Sequence, residues 1–235
     1  MNASLLRKLI VEFIGTFFLV YVIGCVSLQD HVLLGPLAIG ASLMVMIFAG
    51  GHISGAHYNP AVTLGVWIRG ACSALEASLY IVAQVIGAIV AALAAGFLLG
   101  HGSSPATSTL TAAHVMLAEA LGTFALVYTV LNVATAPATS GNSFYGLAIG
   151  FAVFAQAVAV GKVSGGAFNP AVAIGVAVLG LANGANLWIY WLSEFLGAGV
   201  AALFFLVVNQ EKPHEPSVAS HDGAQEQTNQ SIRAV

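Results

Sequence analysis

Charge is what this chain has least of. Only 6% of its 235 residues are Asp, Glu, Lys or Arg, against roughly 25% in an average soluble domain. Glu211, Lys212, Glu215, Asp222, Glu226 and Arg233 crowd into the last 25 positions, which leaves nine charged residues for the first 210. A soluble surface cannot be clothed with so few. The net charge of −3 arises mostly in that tail, so there is neither a basic stripe for nucleic acid nor an acidic funnel. Cysteine is scarce too: Cys25 and Cys72, 47 residues apart inside apolar runs, supply no metal-ligand spacing and no disulfide framework. Both read as small buried hydrophobes. No nucleophile, metal cluster or cofactor loop stands out, which argues against an enzyme and against any bound metal or cofactor.

Apolar residues, by contrast, make up 59% of the chain. At about 20 residues per crossing, six spanning helices are expected, near Leu9–Leu28, Val32–Gly51, Ser78–Leu99, Ala112–Ala134, Phe144–Val160 and Leu187–Val208. The first is long enough to span and contains Glu12, so it reads as a retained helix rather than a cleavable signal. Two shorter runs, Asn59–Ile68 and Asn169–Leu179, have the length of re-entrant segments. Each opens with Asn where an N-cap belongs and Pro where the first helical position tolerates a missing N–H, so each predicts a half-helix. With both termini on one side, that side holds Arg7, Lys8, Arg69 and Lys212 while the other holds Lys162. The positive-inside rule then puts the termini in the cytoplasm, in a cell (inner) membrane. Residues 1–209 form the membrane domain on this reading. Residues 210–235 form a polar tail with too little apolar surface to order itself.

The chain also repeats itself. Leu37-Ala38-Ile39-Gly40 returns as Leu147-Ala148-Ile149-Gly150, and Asn59-Pro60-Ala61-Val62 as Asn169-Pro170-Ala171-Val172, both at an offset of 110. Tyr80, Gln84, Gly87 and Ala88 are answered by Tyr190, Glu194, Gly197 and Ala198, and the segment from Glu12 to Tyr21 by Glu119 to Tyr128 at an offset of 107. Each unit, about 5–100 and 112–208, carries three crossings. An odd number inverts the second unit relative to the first, the pattern of transport proteins. The two half-helices then enter from opposite faces and present Asn59 and Asn169 to one spot near the midplane. Irregular backbone at that depth lines a watery cavity, so the loops Gly51–Tyr58 and Gly161–Phe168 are expected to offer carbonyl acceptors and the asparagines amide donors. Two helix N-termini aimed at one point repel cations. The path suits neutral polar solutes.

The boxes Ser54-Gly55-Ala56-His57-Tyr58-Asn59-Pro60-Ala61-Val62-Thr63 and Ser164-Gly165-Gly166-Ala167-Phe168-Asn169-Pro170-Ala171 resemble the paired Asn-Pro-Ala boxes of the aquaporin (major intrinsic protein) family, and the resemblance runs from about Leu5 to Val208. It implies an all-α membrane protein of aquaporin-like fold, with six transmembrane helices, two re-entrant half-helices and an inverted repeat. It further implies a homotetramer in membrane lipid, one pore per subunit, conducting water or small neutral solutes. The pore centre would comprise Asn59, Pro60, Ala61, Asn169, Pro170 and Ala171. Counting from the boxes without gaps, the family's outer selectivity filter falls on Ile39, Ala157, Gly166 and Val172. Strict water channels of the family carry Arg at the last of these places, and glycerol-conducting members an acid after it, where Ala173 stands. Val172 therefore implies a wider, apolar filter. It resembles that of plant vacuolar and some bacterial members, associated with urea, ammonia, hydrogen peroxide or metalloid acids.

Glu12 and Glu119 sit deepest in the apolar helices, where carboxylates are functional suspects by default. Proton coupling is one reading; bracing the re-entrant loops by accepting their N–H groups is the favoured one, and the family resemblance supports it. Gln84 and Glu194 are expected to brace similarly or to line a helix interface. His52 and His57 flank the first loop and either line the pore or respond to pH, or are satisfied loop residues, the favoured reading; Lys162 either replaces part of the lost positive field or is a solvated residue at the mouth, again the favoured reading. The rival function is a coupled secondary transporter, which also uses inverted repeats and broken helices.

Overall fold

The computed structural model describes residues 3–29, 34–103 and 111–209. The expected tail, residues 210–235, lies outside the described residues. Every regular element among them is helical. Helices α1 (Ala3–Leu28), α2 (Gly35–Ser54), α3 (Pro60–Ile68) and α4 (Ala74–Leu99) make the first unit. Helices α5 (Ala112–Val130, extended by a π-helical turn over Leu131–Thr135), α6 (Tyr145–Ser164), α7 (Pro170–Val178) and α8 (Leu187–Val208) make the second. Six of the eight are long and apolar enough to cross a membrane, since 20 residues at 1.5 Å rise match a hydrocarbon core of about 30 Å. The nine-residue α3 and α7 are not.

The bundle is inside-out by the standards of a soluble protein. Leu75, Phe97, Leu117, Val158 and Val207 are among the most exposed side chains, while Glu12, Thr16, Gln84, Glu119 and Glu194 are 0% exposed. In lipid the apolar exterior is already solvated, so association rests on close packing and internal hydrogen bonds. α1 packs on α4, α5 on α8 and α2 on α6. The units interlock, because α3 lies against α8 and α5 of the other unit while α7 lies against α4 and α1. At the α2–α6 crossing Gly40 and Gly150 face each other, and a Cβ on either would stand 2.5–2.6 Å from the other's carbonyl oxygen. Only hydrogen fits there.

The helix ends differ from the apolar runs. α1 starts six residues before Leu9, since Arg7 and Lys8 continue the helix and Lys8 Nζ pairs with Glu76 Oε1 at 2.7 Å. α2 and α6 continue past Gly51 and Val160 to Ser54 and Ser164, each stopped by a glycine in the left-handed region, Gly55 at φ 87° and Gly165 at φ 93°. The re-entrant turns therefore shrink from eight residues to four, 55–58 and 165–168. Cys25 and Cys72 are half-buried free thiols rather than buried hydrophobes, because both stand near helix ends where packing thins.

Candidate functional site

Asn-Pro builds each half-helix from its first residue. Asn59 Oδ1 accepts the N–H groups of Ala61 (2.8 Å) and Val62 (3.4 Å), and Asn169 Oδ1 those of Ala171 (3.0 Å) and Val172 (3.4 Å). Pro60 and Pro170, which have no N–H to satisfy, occupy the first helical position. With its oxygen committed to the cap, each amide keeps two N–H donors. One crosses to the other half: Asn59 Nδ2 donates to the Phe168 carbonyl at 2.8 Å, and Asn169 Nδ2 to the Tyr58 carbonyl at 2.9 Å. The half-helices from opposite units thus meet tip to tip, with one N–H of each asparagine left for the cavity that both residues line. Tyr58 and Phe168 each sit at φ 49°, a strained region for a bulky residue. Their rings fill spaces vacated by glycine, since a Cβ on Gly15 would be 2.1 Å from Tyr58 and one on Gly122 2.2 Å from Phe168.

Buried carboxyls hold both turns. Glu12 Oε1 accepts Ser54 Oγ–H (2.7 Å) and the His57 N–H (3.0 Å), and Oε2 accepts the Tyr58 N–H (2.7 Å) and Gln84 Nε2–H (2.8 Å). Glu119 accepts the N–H groups of Ala167 (3.1 Å) and Phe168 (2.7 Å). Glu194 Oε1 accepts the Asn169 N–H at 3.0 Å. Tyr80 and Tyr190 repeat one device, each donating its hydroxyl at 2.7 Å to the last carbonyl of a spanning helix, Ser54 or Ser164. His57, buried, has Nδ1 3.2 Å from Thr63 Oγ1, stacks edge-on to Tyr80 and also lines the cavity. His52 and Lys162 lie exposed at the ends of α2 and α6.

The central cavity is small, about 30 Å³, where one water counted the same way needs roughly 10–15 Å³. Its walls are aliphatic: Leu19 and Ile23 from α1, Ile39, Leu43 and Ile47 from α2, Leu126 and Val130 from α5, Ile149 and Val153 from α6. Its polar groups come from the re-entrant turns and their asparagines. Three of the four expected filter positions, Ile39, Gly166 and Val172, line it; Ala157 does not. The counterpart of Ala157 in the first unit, Ile47, does. The wall residues Leu43 and Val153 were not singled out from the sequence, although four-residue spacing from Ile39 and Ile149 marks them as the same helix face.

A family model described as major intrinsic protein matches residues 1–205. The chain belongs to the major intrinsic protein family. Aquaporin NIP1-4 of Oryza sativa subsp. japonica is 34% identical over 88% of this chain and 79% of its own length. Probable aquaporin TIP2-2 of the same plant is 34% identical over 93% and 94%, and aquaporin TIP1-1 of Arabidopsis thaliana 39% identical over 74% and 70%. The fold matches the X-ray structure of the aquaglyceroporin from Plasmodium falciparum with a TM-score of 0.73 at 20% identity, covering 86% of this chain and 95% of that one. This aquaporin is a multi-pass membrane channel for water and small solutes, and not an enzyme. Among the described residues no group of His, Cys, Asp and Glu could hold a metal ion.

Proposed function

We propose that this aquaporin passes small uncharged solutes beyond water, among them urea, ammonia, hydrogen peroxide and metalloid acids, through a filter of Ile39, Ala157, Gly166 and Val172. The observation that carries this reading is the place of Val172 on the cavity wall, in the first turn of α7, in a cavity that Ile39 also lines. An arginine there would bring fixed donors and a permanent charge; a branched alkyl group brings neither. Gly166, with no side chain, leaves the opening unfilled on its side. Asn59 and Asn169, held in place by their caps and by Glu12 and Glu119, supply the donors at the centre, and the aliphatic walls supply no competing sites. A solute then exchanges water for amide and carbonyl partners one at a time, avoiding the roughly 2–7 kcal/mol of an unmet polar group. The N-termini of α3 and α7 disfavour cations.

The same reading puts both termini in the cytoplasm of a cell membrane, with residues 210–235 as a polar cytoplasmic tail and the channel assembled as a homotetramer in lipid. Stopped-flow light scattering on proteoliposomes tests the solute range. Fast shrinkage in sucrose and rapid reswelling in urea, both unaffected by a protonophore, are expected. Val172→Arg should cut urea entry while water flux persists. Fast water flux with no urea entry in the wild type would overturn the filter assignment, and loss of flux with a protonophore would instead favour a coupled transporter.

A further inference from the structure

The two units brace their turns with different chemistry. In the first, Gln84 Nε2 donates both of its hydrogens, one to Glu12 Oε2 at 2.8 Å and one to Thr63 Oγ1 at 3.0 Å. In the second, the residue 110 positions later is Glu194 in place of Gln84, and the residue matching Thr63 is Ala173. The second acceptor is gone, and with it the need for a second donor hydrogen. Glu194 is 0% exposed, its Oε1 takes the Asn169 N–H, and its Oε2 finds no donor; the neighbouring Glu119 carboxyl, also 0% exposed, takes the N–H groups of Ala167 and Phe168 in the same turn. Two ionised carboxylates have no hydrogen to share, and buried like charges in contact do not both persist.

We propose that Glu194 is held as a neutral carboxylic acid whose O–H donates a hydrogen bond to the Glu119 carboxylate, as Gln84 Nε2 does to Glu12, while its other oxygen accepts the Asn169 N–H. It is a positioning residue: it acts on the pore through Asn169, whichever solute passes. The surroundings favour this state. Glu119 on α5 accepts the N–H groups of Ala167 (3.1 Å) and Phe168 (2.7 Å), two bonds that suit a carboxylate, whereas Glu194 accepts one N–H only. Tyr190, on the same helix as Glu194, spends its hydroxyl on the Ser164 carbonyl. Helices α3 and α7, which also pack on α8, carry no ionisable side chain. His114 on α5 is exposed and bonded to Thr111, Lys162 on α6 is exposed, and Tyr145 on α6 packs on Phe48. No cation is poised to replace the proton among the described residues.

Infrared spectroscopy of the whole purified protein in an ester-free detergent reads the proton directly, because a carboxylic acid and a carboxylate have separate C–O stretching bands. At neutral pH the exposed carboxyls are ionised, so a protonated-acid band is expected in the wild type and its loss in Glu194→Gln. That variant leaves one buried N–H without an acceptor, so its unfolding temperature should fall, and Ala173→Thr should recover most of the fall while giving no gain in the wild-type background. A band that survives Glu194→Gln, or a fall that Ala173→Thr does not reverse, would overturn the proposal. Should Glu194→Gln fail to fold, the wild type decides: no acid band at neutral pH overturns the proposal, and a band lost only on the alkaline side supports it.

Discussion

Asn59 donates its side-chain amide to the backbone carbonyl of Phe168, 109 residues away, at 2.8 Å. Asn169 returns the bond to Tyr58 at 2.9 Å. Each asparagine thereby caps its own half-helix and fastens the other unit's turn, so cap, turn and pore centre are one structural unit. Disturbing either asparagine disturbs both halves.

Asn169→Ala removes the cap on α7 and leaves the Tyr58 carbonyl without its donor. A lost cap costs about 0.5–2 kcal/mol and a buried unpaired carbonyl about 1–3 kcal/mol. Thermal unfolding in detergent should shift down accordingly, with reduced water flux. The double variant with Asn59→Ala should fall short of the sum of the single effects, since the residues share one network.

Glu12→Gln should be worse tolerated than its near-isosteric shape suggests. The new amide would set a donor against at least one of the four donors now served by the carboxylate, those of Ser54, His57, Tyr58 and Gln84. A bond to a charged group contributes about 1.5–3 kcal/mol, and loss of one or two should lower both folded yield and water flux. Size-exclusion profiles and proteoliposome swelling check this.

Gly40→Ala forces α2 from α6, because the added Cβ would meet the Gly150 carbonyl oxygen at 2.6 Å. Overpacking of this kind costs about 1–3 kcal/mol. Gly199→Ala, with nothing within 4 Å of its Cβ position, serves as the control and should leave the unfolding temperature level or slightly raised.

Arg69 holds the π-helical end of α5. Its Nε donates to Thr135 Oγ1 at 2.9 Å, its Nη2 to the Thr135 carbonyl at 2.7 Å, and its guanidinium lies 5.4 Å from the Phe205 ring centre. Lysine has no planar fork to make both bonds, so Arg69→Lys should lower stability by about 1–2 kcal/mol, from one lost hydrogen bond to a charged group and a weakened cation–π contact. Unfolding curves of the two proteins measure the difference.

Cys72, in the turn between α3 and α4, has its thiol pushed up to about 11 by burial and then by the neighbouring Glu76 carboxylate. The thiolate is the reactive form, so it is scarce at neutral pH and grows as pH rises toward that value. In a Cys25→Ser background, alkylation by iodoacetamide should be slower than for an open thiol at pH 8 and should keep rising with pH. Glu76→Gln should speed it.

The six spans and the half-helices were legible because lipid demands long apolar runs and because Asn-Pro is a local start signal. The repeat was legible because whole segments return in register, Gly40 as Gly150 at an offset of 110 and Glu12 as Glu119 at an offset of 107. The turn lengths were not, since only the left-handed stops at Gly55 and Gly165 show where α2 and α6 end. Nor were the aliphatic walls: four-residue spacing puts Leu43 on the face of Ile39 and Val153 on that of Ile149, but only the packed bundle shows that these faces turn inward rather than to lipid.

What the sequence determined by itself is what short-range chemistry and the membrane's polarity decide: helical spans, caps, an odd number of crossings per unit and hence inversion. Tertiary structure alone decided which atoms meet across that inversion. The reach of Asn59 to Phe168, the contact of Glu194 with Glu119 and the withdrawal of Ala157 from the cavity wall depend on ångström-scale placement of segments about 75–118 residues apart or on different helices. Hydrogen bonds require that precision, and the apolar effect that drives burial does not supply it.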